Sequence, residues 1–70
     1  MNRIKVSVIG FGHIGSVISA VLASSGCKVT GIDNNLELIK SFREGELPIY
    51  EPGLQDLIRE GLERNLSITT

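Results

Sequence analysis

Three glycines stand within six residues, Gly10-Phe11-Gly12-His13-Ile14-Gly15. They follow an apolar run (Ile4, Val6, Val8, Ile9) and open a helix-patterned one (Ile14, Val17, Ile18, Val21, Leu22). A strand–turn–helix with glycine at this spacing has the form that receives a pyrophosphate. Gly10 permits the tight exit from the strand, Gly12 leaves the backbone bare for a close approach, and Gly15 lets the helix pack on the strand. The phosphates then meet unpaired N–H groups, those of His13 and Ile14 among them, and the positive end of the helix dipole. Eighteen residues past Gly15, Asp33 ends a second apolar run, Lys28-Val29-Thr30-Gly31-Ile32. A carboxylate there accepts hydrogen bonds from the ribose hydroxyls of NAD and repels the 2′-phosphate of NADP. The expected cofactor is NAD, held by Gly10, Gly12, His13, Ile14, Gly15 and Asp33. The competing reading is a strand–helix–strand unit that only looks nucleotide-binding, with Asp33 as a loop acid or a cap on the next helix; the context of strand, turn and helix favours binding.

The elements that must position these residues are legible from periodicity and caps. Arg3 to Ile9 reads as the first strand, β-branched at nearly every apolar position. A helix follows from about His13 to Ser25, with positions 14, 17, 18, 21 and 22 as a single buried stripe and Ser16, Ser19, Ala20 and Ala23 as small side chains on other faces. Gly26 suits a helix C-cap. Lys28 to Ile32 is the second strand, joined to the first by a right-handed parallel crossover. Asn34 and Asn35 are N-cap candidates for a helix over about 36–43, with Leu38, Ile39 and Phe42 inward. Glu44-Gly45-Glu46 breaks it. A proline-bracketed loop, Leu47-Pro48-Ile49-Tyr50-Glu51-Pro52-Gly53, leads to a third helix with Pro52 in its first turn and Leu54, Leu57, Ile58 and Leu62 as its stripe, ending near Arg64. Leu66 to Thr69 begins a third strand. The fold class expected is α/β, a partial doubly wound parallel sheet of Rossmann type.

Composition bounds what such a unit can be. The chain has 70 residues, short against the roughly 100–200 of a common domain, and a doubly wound sheet needs more strands than these. We therefore expect the amino-terminal part of a larger NAD-binding domain, with the rest of that domain and a substrate domain absent. With 41% hydrophobic and 21% charged residues it has an ordinary globular balance. A net charge of −1 with scattered Lys and Arg gives no reason to expect nucleic acid as a partner. No apolar run reaches the roughly 18–20 residues of a membrane span. The single cysteine makes no internal disulfide and fits a reducing cytoplasm. Cys27 reads as a small apolar residue and His13 as a packing or phosphate-edge residue. No metal-ligand set and no catalytic constellation are expected within the chain. Tyr50 and Glu51 read as structural, Tyr50 on the sheet edge and Glu51 near the positive end of the third helix, with contact to the cofactor or a partner subunit as the alternative.

Gly10-x-Gly12-x-x-Gly15, then Gly31-Ile32-Asp33, then Pro48-Ile49-Tyr50-Glu51-Pro52-Gly53-Leu54, in this order and spacing, resemble the amino-terminal start of the UDP-glucose/GDP-mannose dehydrogenase family. The resemblance covers essentially the whole chain, and the proline loop discriminates most. Its Tyr-Glu-Pro-Gly form is closer to the UDP-glucose and GDP-mannose branches than to the N-acetylmannosamine branch. The resemblance implies a two-step, NAD-dependent oxidation of a nucleotide-sugar C6 alcohol to a carboxylate, with UDP-glucose the first substrate expected and GDP-mannose next. It also implies a cysteine nucleophile that forms a thiohemiacetal and then a thioester, assisted by a lysine and an asparagine, all downstream of residue 70. A homo-oligomer paired through a central region, and a product destined for surface polysaccharide, are further implications. Two positions depart from the family pattern. His13 stands where members often have Tyr, and Leu38 stands where they often have Lys or Arg. Rival readings are another NAD-dependent dehydrogenase, of 3-hydroxyacyl or prephenate type, and a non-catalytic nucleotide-binding module. Residues 1–70 alone are expected to be inactive.

Overall fold

Backbone pairing between distant segments organises the chain. The computed structural model describes residues 4–47 and 51–70. Its elements run β1 (Lys5–Ile9), α1 (His13–Ser24), β2 (Lys28–Ile32), α2 (Leu36–Arg43), α3 (Leu54–Arg64) and β3 (Leu66–Thr69). The three strands form one parallel sheet in the order β1-β2-β3. Ile9 pairs with Ile32 and Ile32 with Thr69, so the three carboxyl ends finish level. The β-branched alternation of β1 and β2 and the short β3 give the expected strands. Arg3, expected to start β1, lies outside the described residues.

The helix ends follow their local chemistry. Past α1, Gly26 N–H donates to Ala23 O at 3.0 Å and Cys27 N–H to Leu22 O at 3.1 Å, the paired backbone bonds that close a helix on glycine. Gly45 and Glu46 close α2 in the same way, on Phe42 O and Ser41 O. Asn35 caps α2, its Oδ1 accepting from Leu38 N–H at 3.1 Å, and Glu37 sits in the first turn. Of the two asparagines expected there, Asn35 is the cap.

Two expectations are corrected. Pro52 lies ahead of α3 and not in its first turn. Leu54 N–H donates to Glu51 O at 3.0 Å, and Gly53 has φ 82° and ψ −12°. That is a type II turn with Pro at its second position and Gly at its third, and the left-handed Gly53 keeps the helix from starting earlier. The rest of the Pro48-Ile49-Tyr50 loop, with the expected place of Tyr50 on the sheet edge, lies outside the described residues.

The second correction concerns α1. Its buried residues are Ser16, Ser19, Ala20 and Ala23; of the expected stripe, Val17 and Leu22 pack partly against the core, while Ile14, Ile18 and Val21 are exposed at 75%, 45% and 49%. Positions 16, 19, 20 and 23 have the same helical spacing as the larger apolar set, so periodicity admits both faces. Size decides. Only small side chains let α1 approach α3, where the buried Gly61 faces Ala23, a Cβ built on it falling 3.6 Å from the Ala23 Cβ. Asn65 holds this junction, its amide donating to Ala23 O at 2.7 Å and Cys27 O at 2.8 Å. Ser19 Oγ, on the same buried face of α1, has no partner among the described residues.

The core lies between the sheet and the helices: Phe11, Ala20, Ala23, Val29, Ile39, Phe42, Leu54, Ile58, Leu66 and Ile68. Ile39 and Phe42 point inward as expected, and Leu38 is half-buried against them. The α3 stripe also holds, with Leu54 and Ile58 buried and Leu57 and Leu62 partly so. Among the described residues no helix is long and apolar enough to cross a membrane.

Candidate functional site

Sheet register brings the glycine turn and the acid together. The ladder continues one residue past each strand: Gly10 N–H donates to Ile32 O at 2.7 Å, and Asp33 N–H to Thr69 O at 3.1 Å. Gly10 has φ 92°, the left-handed turn that swings the chain off β1. A Cβ on Gly15 would collide with the carbonyl oxygen of Gly10 and lie 3.6 Å from Val8 Cγ1. The third glycine therefore seats the helix against both the turn and the strand. Around Gly12 a Cβ would meet nothing, so the space beside it is open.

α1 begins here without a cap. Gly12 has no side chain to offer, and the first turn contains no acid. This contrasts with α2, which has both devices. Ser16 N–H donates to Gly12 O at 2.9 Å, and Ser16 Oγ donates to His13 O at 2.9 Å. The N–H groups of His13, Ile14 and Gly15 precede the first intrahelical bond and, among the described residues, have no partner, the arrangement that receives an anion.

Asp33 is bonded to the turn itself. Its Oδ2 accepts from Phe11 N–H at 2.8 Å and its Oδ1 from Asn35 N–H at 2.9 Å. The Phe11 N–H first, and then that of Asn35, hold the carboxyl below the ordinary aspartate value of 3.8. An ionised carboxylate has about four acceptor positions, so two remain after these bonds. Those two are what a ribose diol needs. The acid and the turn are thus one bonded unit.

Sequence reasoning missed what anchors this unit. The Phe11 ring is fully buried and meets Phe42 edge-on, with ring centroids 4.8 Å apart and planes at 86°. A Cβ on Gly31 would lie 2.5 Å from Phe11 Cδ1. The glycine two residues before Asp33 makes room for that ring. The signal was present in the pairing of Gly31 with an aromatic inside the glycine turn, but it needed the strand register to be read. Also missed is Glu51. Its carboxylate lies 3.0 Å from His13 Nε2, on the first turn of α1, and not on the start of α3. Cys27 sits at the opposite, amino-terminal end of β2, away from the turn. Among the described residues no three His, Cys, Asp or Glu side chains gather.

The family model for the NAD-binding domain of the UDP-glucose/GDP-mannose dehydrogenase family matches residues 4–70. The chain belongs to that family. NAD is accordingly its cofactor, and its parallel α/β unit is part of a dehydrogenase Rossmann domain. It is 41% identical over 66 residues to a UDP-glucose 6-dehydrogenase of Bacillus subtilis, covering 93% of this chain and 14% of that protein. It is 39% identical over 67 residues to a UDP-N-acetyl-D-mannosamine dehydrogenase of Methanococcus maripaludis, covering 94% of this chain and 16% of that protein. The structure of a UDP-glucose dehydrogenase from Pyrobaculum islandicum superposes with a TM-score of 0.89 at 34% identity, over 96% of this chain and 16% of that one. The chain spans between 7% and 16% of the length of the curated relatives just described and others like them. These similarities fall on more than one sugar-nucleotide specificity within the family.

Proposed function

We propose that this chain is the NAD-binding part of a nucleotide-sugar 6-dehydrogenase that oxidises UDP-glucose to UDP-glucuronate. The observation that carries the reading is the bonded unit of Asp33 and the glycine turn. It presents three free helical N–H groups, an open approach at Gly12 and two spare carboxylate acceptor positions at the carboxyl ends of a parallel sheet, where such sheets bind ligands. In this reading His13, Ile14 and Gly15 donate backbone N–H to the pyrophosphate, and Asp33 accepts from the adenosine ribose. The bound cofactor supplies the hydride acceptor, and this chain's residues hold and orient it.

The substrate is inferred from the Tyr50-Glu51-Pro52-Gly53 form of the loop and from the similarity to the Bacillus subtilis enzyme. Oxidation of the C6 alcohol to the carboxylate consumes one water and two NAD, releasing two NADH and three protons per sugar. Sugar binding and the cysteine nucleophile belong to parts of the protein outside these residues. Cys27 is five residues of strand away from the cofactor end, about 16 Å at 3.3 Å per residue.

The test is turnover by the full protein with UDP-glucose, GDP-mannose and UDP-N-acetylmannosamine in parallel. Two NADH per UDP-glucose, with kcat/KM highest for that sugar, is the expected result. Preference for either of the other two would reassign the substrate and leave the cofactor site standing.

A further inference from the structure

We propose that His13 and Glu51 form a proton-linked latch on the cofactor's pyrophosphate, so that binding NAD draws a proton onto His13. The inference rests on the proposed placing of the pyrophosphate at the start of α1. His13 is the first residue of that helix, and its imidazole is exposed beside the free N–H groups. Its Nε2 lies 3.0 Å from Glu51 Oε2, a contact between residues 38 apart in sequence.

Among the described residues, the charges that face this imidazole are few. The first turn of α1 contains no acid. From the adjoining turn the nearest carboxylate is Asp33, engaged by the N–H groups of Phe11 and Asn35. From the turn before α3 comes Glu51, whose carboxylate lies 3.0 Å from His13 Nε2. One carboxylate therefore touches the imidazole before the cofactor arrives. The pyrophosphate adds two negative charges at the same helix end. Flanked by anions on both sides, His13 is favoured as imidazolium. A neutral His13 would instead leave Glu51 and the phosphates facing each other without a cation between them. Linkage is reciprocal, so the proton that NAD recruits must tighten NAD by the same factor.

The experiment is calorimetric titration of the full protein with NAD from about pH 6 to about pH 8, where an imidazole titrates. It is run at constant ionic strength on wild type, His13→Gln and Glu51→Gln. In wild type Kd should rise roughly threefold or more across this range, and near neutrality heats in buffers of different ionisation enthalpy should report net proton uptake. In His13→Gln both effects should vanish. In Glu51→Gln, with one anion removed, NAD should bind more tightly than in wild type at the alkaline end. A purely structural contact would instead weaken binding at every pH when Glu51 is replaced. Absence of proton uptake in wild type overturns the latch even if a variant fails to fold, as does undiminished uptake in His13→Gln. NAD binding that is independent of pH would remove the latch alone; failure to bind NAD at any pH would remove it together with the cofactor site.

Discussion

Asp33 does two jobs with one carboxylate. It fixes the backbone of the glycine turn through Phe11 N–H and, in the proposed reading, retains acceptor positions for a ribose. Replacing it with Ala should weaken NAD binding, read by calorimetry as a raised Kd. The same variant gives a pH prediction. Its lowered pKa means that Asp33 favours the fold when ionised; that contribution is complete above the ordinary value and is lost as pH falls through the lowered native value. Denaturation midpoints of wild type and Asp33→Ala should therefore differ by a constant amount near neutrality and converge only in strong acid. Gly31 is a sharper structural test. A methyl there meets the buried Phe11 ring, so Gly31→Ala should cost about 1–3 kcal/mol in denaturant unfolding, typical of an overpacked core. The backbone geometry expected at Gly10, Gly12 and Gly15 was legible in the sequence because it depends on local chemistry. The Phe11–Gly31 fit and the His13–Glu51 contact were not, because each joins residues whose proximity only the tertiary structure creates.

At the level of elements, α1 shows where hydrophobic pattern reading stops. Two interleaved stripes have the same period, one of small side chains and one of large apolar ones. The sequence reading buried the large stripe, since transfer free energy favours it. The fold buries the small one, because helix–helix and helix–turn distances here admit no more than Ala or Ser. Two substitutions separate these readings. Ala20→Leu should destabilise by about 1–3 kcal/mol through overpacking, measured by thermal or denaturant unfolding. Ser19→Ala removes a buried hydroxyl that has no partner and should be neutral or stabilising, by up to roughly 1 kcal/mol. The bounds of α2, β2 and β3, and the end of α3, were readable because asparagine, glycine and charged residues mark them directly. Pro52 misled because proline suits both the first turn of a helix and the second position of a turn. Gly53 after it decides for the turn.

At the scale of the whole molecule, the three parallel strands run in the order β1-β2-β3. β1 is an edge strand, yet its apolar Ile9 is 77% exposed and none of its residues is fully buried. In doubly wound sheets the first strand is interior and the cofactor spans the point where strand order reverses. In the proposed reading these three strands lie on one side of that point. Purified 1–70 should give no NADH from UDP-glucose or GDP-mannose, followed by absorbance, whereas the full protein should. Fold class and family were legible from the order of three motifs. The substrate is not, because relatives about equally similar over these residues carry different sugar-nucleotide specificities. The central claim concerns Asp33 and the dinucleotide. It is tested most directly by titrating the protein with NAD and with NADP under identical conditions. Tighter binding of NAD, with that preference lost in Asp33→Ala, is the predicted result. Equal or tighter binding of NADP by the wild-type protein would contradict it.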